Sequence, residues 1–148
     1  MTKLGVVPQD VVVICSTITL DTPVPLVASF YIGAIVANLD PSLSVRQPSH
    51  LLSLVSPKII FVEEASVNLI EKSLLEAKLE TEVVVFGESE KYKTFSSLNQ
   101  PQTNEHEFRP KSADVEETCI LIFSSGSTGL PKAICHSHRS FLTASYNF

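Results

Sequence analysis

Residues 124–132, which read SSGSTGLPK, combine the side chains best suited to chemistry in this sequence of 148 residues. They lie between two apolar runs at 120–123 and 133–135. Gly126 and Gly129 permit close backbone approach, and successive N–H groups in such a turn can hold an anion. The hydroxyl groups and the Lys132 ammonium add donors suited to a phosphate. The composition therefore points to phosphate binding, and an exposed hairpin loop of turn residues is the alternative.

This segment differs from the Walker phosphate loop, whose lysine directly follows the second glycine and opens a helix. Here Leu130 and Pro131 separate Gly129 from Lys132. The residues that follow predict a strand rather than a helix. We therefore expect the lysine to reach a phosphate in a different way.

Composition limits the classes of function. The length suits one domain with a sizeable core, and the hydrophobic content of 44% argues against disorder. Eleven basic against sixteen acidic residues give a net charge of −5. That balance disfavours binding to nucleic acid or to an anionic membrane, because no basic stripe is present to neutralise phosphates.

The sequence shows neither a transmembrane segment nor a signal peptide. The longest apolar run, 26–39, is interrupted and too short for a membrane span, and the N-terminus lacks a signal-peptide layout. All three cysteines lie in apolar strand-like runs: Cys15, Cys119 and Cys135. We expect buried free thiols and a soluble intracellular protein without a transmembrane segment.

Strand and helix patterns alternate along the chain. Continuous apolar runs predict buried strands over 11–14, 58–62, 82–86 and 119–123. Helices are predicted over 23–38, over 44–55 from a Ser44/Gln47 capping box, over 65–79, and from 139 onward. Residues 88–113 read as a long polar loop with a short strand or helix around 92–98. Gly5 fits the position just past a helix end, although no helix is predicted before it.

This alternation predicts an α/β fold, with a mostly parallel, doubly wound sheet and flanking helices. Ligands in such sheets bind at the carboxyl ends of strands. Ser124 directly follows the predicted strand over 119–123. The position of the Ser/Gly segment thus agrees with its composition.

Residues 124–132 resemble the AMP-binding signature of adenylate-forming enzymes, a superfamily that includes acyl-CoA synthetases, 4-coumarate–CoA ligases and the beetle luciferases. No position of the nine departs from that signature. Further stretches agree with the same family: DVVVICS at 10–16, YIGAIVA at 31–37, NLDP at 38–41, PKIIFV at 57–62 and HR at 138–139. The resemblance covers nearly the whole chain and is closest to the insect luciferase-like and 4-coumarate–CoA ligase-like branch.

The resemblance implies an ATP-dependent acid–thiol (acyl-CoA) ligase. In that reaction an organic or fatty acid attacks the α-phosphate of ATP bound with Mg²⁺, which gives an acyl-adenylate and pyrophosphate, and coenzyme A then accepts the acyl group. The implied nucleotide contacts are Ser124, Ser125, Gly126, Ser127, Thr128, Gly129 and Lys132. Gly129 and Pro131 are expected to shape the loop, and Lys132 is the expected catalytic residue, stabilising charge on the departing pyrophosphate.

The sequence also departs from the family. Ala133 stands where the family usually has glycine after the lysine, Gln9 replaces a glycine before Asp10, and Asn38 and Asp40 alter the usual turn. Family enzymes are several times longer, so we expect residues 1–148 to be an incomplete subdomain of the adenylation domain. The small C-terminal domain is then absent, and the chain alone is expected not to activate acids.

Alternatives remain open at this point. The chain could be a non-catalytic nucleotide- or pyrophosphate-binding remnant, an interaction module, or a stand-alone flavodoxin-like domain. The complete enzyme is expected in the peroxisome or the cytoplasm, and no targeting signal is visible. We also expect missing neighbours to leave apolar faces of the 23–38 helix uncovered.

The histidines and two isolated aspartates are predicted to have structural rather than chemical roles. His136 and His138 alternate along a strand, but no second pair of ligands accompanies them, so no metal site is predicted. His50 and His106 are predicted to be solvated surface residues. Asp10 and Asp40 are most simply turn residues.

Overall fold

The computed structural model describes residues 1–103, 105–124 and 131–146. Its strands are β1 (Val11–Cys15), β2 (Ile35–Leu39), β3 (Ile59–Glu63), β4 (Glu82–Phe86), β5 (Lys93–Thr94), β6 (Thr118–Ser124) and β7 (Lys132–Ser137). Its helices are α1 (Pro23–Ile32), α2 (Arg46–Val55), α3 (Val67–Ala77), α4 (Phe95–Leu98) and α5 (His138–Tyr146). Short 3₁₀ helices cover Thr2–Leu4, Glu64–Ser66 and Glu105–Glu107.

The strands of the described residues form one sheet in the order β5-β4-β3-β1-β2-β6-β7. Neighbours from β5 to β6 pair in parallel, whereas β6 and β7 are antiparallel. Helices α1, α2 and α3 connect β1 to β2, β2 to β3 and β3 to β4, whereas a short segment without a helix joins β4 to β5. The predicted α/β fold with a mostly parallel sheet is confirmed.

Helices cover both faces of the sheet. Alternate residues of a strand point to opposite faces, so Val13 and Cys15 of β1 pack with α2 and α3, while Val12 and Ile14 pack with α1 and α4. Both core clusters are built largely from valine, isoleucine and leucine. Burial on both faces explains why the central strands read as continuous apolar runs.

The predicted helix over 23–38 is wrong in its second half. α1 ends at Ile32. Gly33 follows with a left-handed φ of 73°, and its backbone N–H donates to carbonyl oxygens of α1. Residues Ile35–Leu39 then form β2 between β1 and β6. Apolar side chains on every face suit a central strand as well as a buried helix, and the backbone at Gly33 separates the two elements.

Two helix-end predictions also need correction. α2 ends at Val55 as predicted, but its N-cap is Val45, and no side chain caps the helix. The hydroxyl of Ser44 instead donates to the side-chain carbonyl of Gln47 at 3.2 Å. Gly5, at φ 73°, closes the 3₁₀ helix Thr2–Leu4, so a short helix does precede it.

The polar stretch and the cysteines show how far other predictions agree with the structure. β5 and α4 occupy the part of the polar 88–113 stretch where a short strand or helix was expected. Cys15 and Cys119 are buried free thiols as predicted, but the prediction is wrong for Cys135, which is exposed. Cys135 lies on β7, an edge strand, where one side chain in two faces away from the core. Among the described residues, no helix is long and apolar enough to cross a membrane.

Candidate functional site

The two ends of the Ser/Gly segment meet at the carboxyl end of β6. Ser124 is the last residue of β6 and Lys132 the first of β7, and the antiparallel register pairs them directly. β6 runs parallel to β2, so Ser124 lies at the carboxyl edge of the sheet, where the parallel strands end. In open α/β sheets this edge is where ligands bind.

Five of the predicted nucleotide contacts lie outside the described residues: Ser125, Gly126, Ser127, Thr128 and Gly129. Their roles stay predictions. The structure does bring together the flanking pair, Ser124 and Lys132, which are eight positions apart in the sequence.

Lys132 carries an exposed positive charge at this edge. The ion pairs formed among residues 1–103, 105–124 and 131–146 are Lys91–Glu71, Lys93–Glu82 and Arg139–Glu116, and the His106 imidazole lies 3.9 Å from the Glu107 carboxylate. Lys132 belongs to none of them. Within the described part of the chain, no carboxylate neutralises its ammonium group, which leaves the charge available to an anion.

His50 is a site residue that the sequence did not reveal. Its side chain was predicted to be solvated, but it is half-buried on α2, and its Nε2 lies 3.1 Å from the carbonyl oxygen of Pro131. A carbonyl can only accept, so Nε2 carries the proton and donates. His50 and Leu54, one helical turn apart, line a groove of about 520 Å³ together with Pro131, Lys132 and Ala133.

The carboxylate of Glu63 organises a neighbouring part of the same edge. It accepts hydrogen bonds from the Thr17 backbone N–H and hydroxyl, both at 2.8 Å, and from the Ser66 hydroxyl at 3.0 Å. These donors hold the pKa of Glu63 below its ordinary value, and the Thr17 backbone bond contributes most. The carboxylate therefore stays charged while it joins the ends of β1 and β3.

Two hollows adjoin this edge. One of about 810 Å³ lies at the ends of β1 and β2, between Ile14, Leu26 and Asp40. A second of about 480 Å³ shares Leu26 with the first and reaches Phe123, the neighbour of Ser124, along a mostly apolar surface. Ligand sites in proteins are commonly concave and apolar, with a few polar groups at one end.

The histidines near β7 have other partners. His136 lies with Nδ1 3.5 Å from the Ser140 hydroxyl, and the ring of His138 packs against Phe30 with centroids 6.1 Å apart. Among the residues that the structure describes, no three histidine, cysteine, aspartate or glutamate side chains gather into a metal-binding group. Asp10 and Asp40 accept the backbone N–H groups of Val7 and Ser42, as expected of turn residues.

The sequence profile of the AMP-binding enzyme family matches residues 1–148, which is the whole chain. Luciferin 4-monooxygenase of Photinus pyralis is 27% identical over an alignment 148 residues long, which covers 95% of this chain and 27% of that protein.

Solved structures agree with this match. The luciferase-like enzyme of the nonluminescent mealworm Zophobas morio is 58% identical with a TM-score of 0.91, over 96% of this chain and 33% of that one. An anthranilate CoA ligase in complex with anthranoyl-AMP is 26% identical with a TM-score of 0.85, over 97% of this chain and 28% of that one. The chain thus spans between a quarter and a third of the length of these relatives.

The full-length profile match, the shared fold and the Ser124–Lys132 pair at the sheet edge lead to one conclusion: this chain belongs to the AMP-binding enzyme family.

Proposed function

We propose that residues 124–132 bind the phosphates of ATP, and that the protein is an ATP-dependent ligase that joins an organic or fatty acid to coenzyme A. The observation that carries this proposal is the register pair Ser124–Lys132 at the carboxyl end of β6, because directly opposite residues project their side chains from the same face of the two strands. Membership of the AMP-binding enzyme family supports it. The anthranoyl-AMP bound to a relative supports an acyl-adenylate intermediate.

In the first half of the proposed reaction, a carboxylate oxygen of the acid bonds to the α-phosphorus of ATP. The bond from that phosphorus to the oxygen bridging to the β-phosphate breaks, and pyrophosphate leaves with the electron pair. Lys132 and the hydroxyl of Ser124 offset the negative charge that develops on the leaving group. In the second half, the sulfur of coenzyme A bonds to the acyl carbon and the thiol proton passes to solvent. The bond from that carbon to the phosphate oxygen breaks, and AMP leaves with the electron pair.

Mg²⁺ is proposed to arrive with the nucleotide. Among residues 1–103, 105–124 and 131–146 no group of three potential ligands is present. Mg²⁺ is commonly held by phosphate oxygens and waters with one or two protein carboxylates, so a cage built from the protein is not required. The residues present therefore fit an Mg²⁺ ion whose ligands come mainly from the nucleotide phosphates and water.

The test is nucleotide binding by the chain, measured by calorimetry with MgATP. Replacing Lys132 with alanine should weaken binding by roughly tenfold or more, because a charge-assisted hydrogen bond contributes about 1.5–3 kcal/mol. Lys72, an exposed lysine of α3, provides the matched control, and Lys72→Ala should leave the affinity unchanged. Equal affinities for the two variants would contradict the proposal.

Catalysis needs a separate measurement. Residues 1–148 alone are expected to bind MgATP without activating an acid. Exchange of label between pyrophosphate and ATP that depends on an added carboxylic acid and is lost in Lys132→Ala would overturn that expectation and would support the ligase reaction directly.

A further inference from the structure

We propose that His50 is a positioning residue that holds the backbone at Pro131, and with it the start of β7 and Lys132. The hydrogen bond from its Nε2 to the Pro131 carbonyl, at 3.1 Å, is the contact that carries this inference. Its consequence for nucleotide binding rests on the proposed function, whereas its effect on the backbone does not.

Among the described residues, no backbone N–H donates to the Pro131 carbonyl. The described β6–β7 register ends at Ser124 and Lys132, so Pro131 precedes the first paired residue of β7. Pro131 is half-buried, and a backbone acceptor removed from water is costly when it is left unpaired. The imidazole of His50 donates to this carbonyl.

β7 also needs a second attachment. It is an edge strand of the sheet and pairs only with β6 among the described strands. An edge strand held on one side frays more readily than a central strand, because half of its backbone groups face solvent. A contact from α2 to the first residues of β7 restrains the end of the strand where Lys132 lies.

α2 is a rigid platform for this contact. Leu51 and Leu52, the residues next to His50, are 1% and 0% exposed and belong to the main core cluster. The hydroxyl of Ser49 donates to the carboxylate of Glu76 on α3 at 3.0 Å, which fixes α2 from another side. The imidazole therefore projects from an element whose own position is set by the core.

The bond requires only a proton on Nε2. Both the neutral tautomer protonated at Nε2 and the imidazolium can donate it, so the role is one of geometry. Glutamine keeps a donor of similar reach, whereas leucine keeps the bulk and removes the donor. Rescue by glutamine therefore separates the hydrogen bond from simple packing.

The first test compares backbone amide hydrogen exchange in the full chain and three variants: His50→Leu, His50→Gln and the control His106→Leu, at an exposed histidine in the polar stretch. His50→Leu should speed exchange at the start of β7 by about fivefold, which corresponds to the loss of one net hydrogen bond. Exchange in β3 should not change. His50→Gln should restore most of the protection, and His106→Leu should behave like the unsubstituted chain. Unchanged exchange in β7 of His50→Leu would overturn the proposal.

A second measurement uses the unsubstituted chain and does not depend on how variants fold. Long-range ¹H–¹⁵N NMR spectra report which ring nitrogen of His50 is protonated. A proton on Nε2 supports the proposal, and a ring protonated only on Nδ1 overturns it, because that ring could not donate to Pro131.

The third measurement is the affinity of the His50 variants for MgATP. In a chain that binds MgATP, His50→Leu should weaken binding by about fivefold and His50→Gln should recover it, the same factor as for the lost hydrogen bond. Unchanged affinity in His50→Leu would overturn the role of His50 in positioning Lys132 for nucleotide. A chain that binds no MgATP would refute the proposed function, while the exchange and NMR results would still decide the role of His50 at Pro131.

Discussion

The carboxylate of Glu63 accepts both the backbone N–H and the hydroxyl of Thr17, each at 2.8 Å, across the carboxyl edge of the sheet. Glu63 ends β3, and Thr17 begins the connection that follows β1. A third donor, the hydroxyl of Ser66, lies at 3.0 Å. Because all three donors favour the charged carboxylate, the pKa of Glu63 is lowered.

The contribution of Glu63 to stability should depend on pH. A carboxyl whose pKa is lower in the folded state than its ordinary value of 4.5 stabilises the fold above that value, and the stabilisation is lost as pH falls through the folded pKa. Glu63→Gln should lower the free energy of unfolding by about 1 kcal/mol near neutral pH. The difference from the unsubstituted protein should shrink below about pH 5. Urea unfolding over a pH series measures both quantities.

A matched control for this experiment is Glu80→Gln, an exposed glutamate between α3 and β4. It should change the free energy of unfolding little at any pH. A difference between Glu63→Gln and the unsubstituted protein that stays constant across the series would contradict the role assigned to the hydrogen bonds from Thr17.

The backbone at Gly33 should be sensitive to any side chain. Its φ of 73° is left-handed, so Gly33→Ala should cost about 1–2 kcal/mol of unfolding free energy. An added Cβ would make only ordinary contact with Pro8, at 3.5 Å, so the cost arises from the backbone rather than from a clash. Gly33→Asn should cost less, because asparagine tolerates this conformation better.

Gly5 provides the comparison, since it has the same φ of 73° but closes a short 3₁₀ helix at the N-terminus. Terminal segments can open locally without unfolding the domain, so Gly5→Ala should cost less than Gly33→Ala. Equal costs in urea unfolding would show that the junction between α1 and β2 is not the sensitive point.

The three cysteines should differ in reactivity. Burial raises the pKa of the Cys15 thiol to about 12, with smaller effects from the Glu63 and Asp40 charges, and burial also raises the pKa of Cys119. Cys135 is exposed. Because the thiolate is the reactive form, an aromatic disulfide reagent should modify one thiol rapidly in the native protein and all three in denaturant.

Cys135→Ser identifies the rapid thiol. This variant should lose the rapid phase of thiol modification and keep the slow modification of the other two thiols. In denaturant it should react at two thiols instead of three. A rapid phase that survives Cys135→Ser would mean that Cys15 or Cys119 is accessible in the folded protein.

Local patterns were sufficient for several elements. β4 begins and ends where its apolar run predicts, at Glu82 and Phe86, because a bounded run of β-branched residues suits a strand buried on both faces. The 23–38 stretch shows the limit of such patterns. Whether Ile35–Leu39 extends the helix or forms a strand depends on β1 and β6, which lie on either side of it in the sheet. Pairing with distant segments is not encoded in a local period.

The sequence by itself indicated the family and predicted phosphate binding by residues 124–132, because a set of glycines, hydroxyls and a lysine in that order is a local property of the chain. Only the tertiary structure decided what surrounds its ends. The register of β6 and β7 pairs Ser124 with Lys132, and the packing of α2 brings His50 to Pro131 from 81 positions away. Contacts of that kind follow from how helices pack on the assembled sheet. The local sequence of α2 does not distinguish a solvated histidine from a half-buried one.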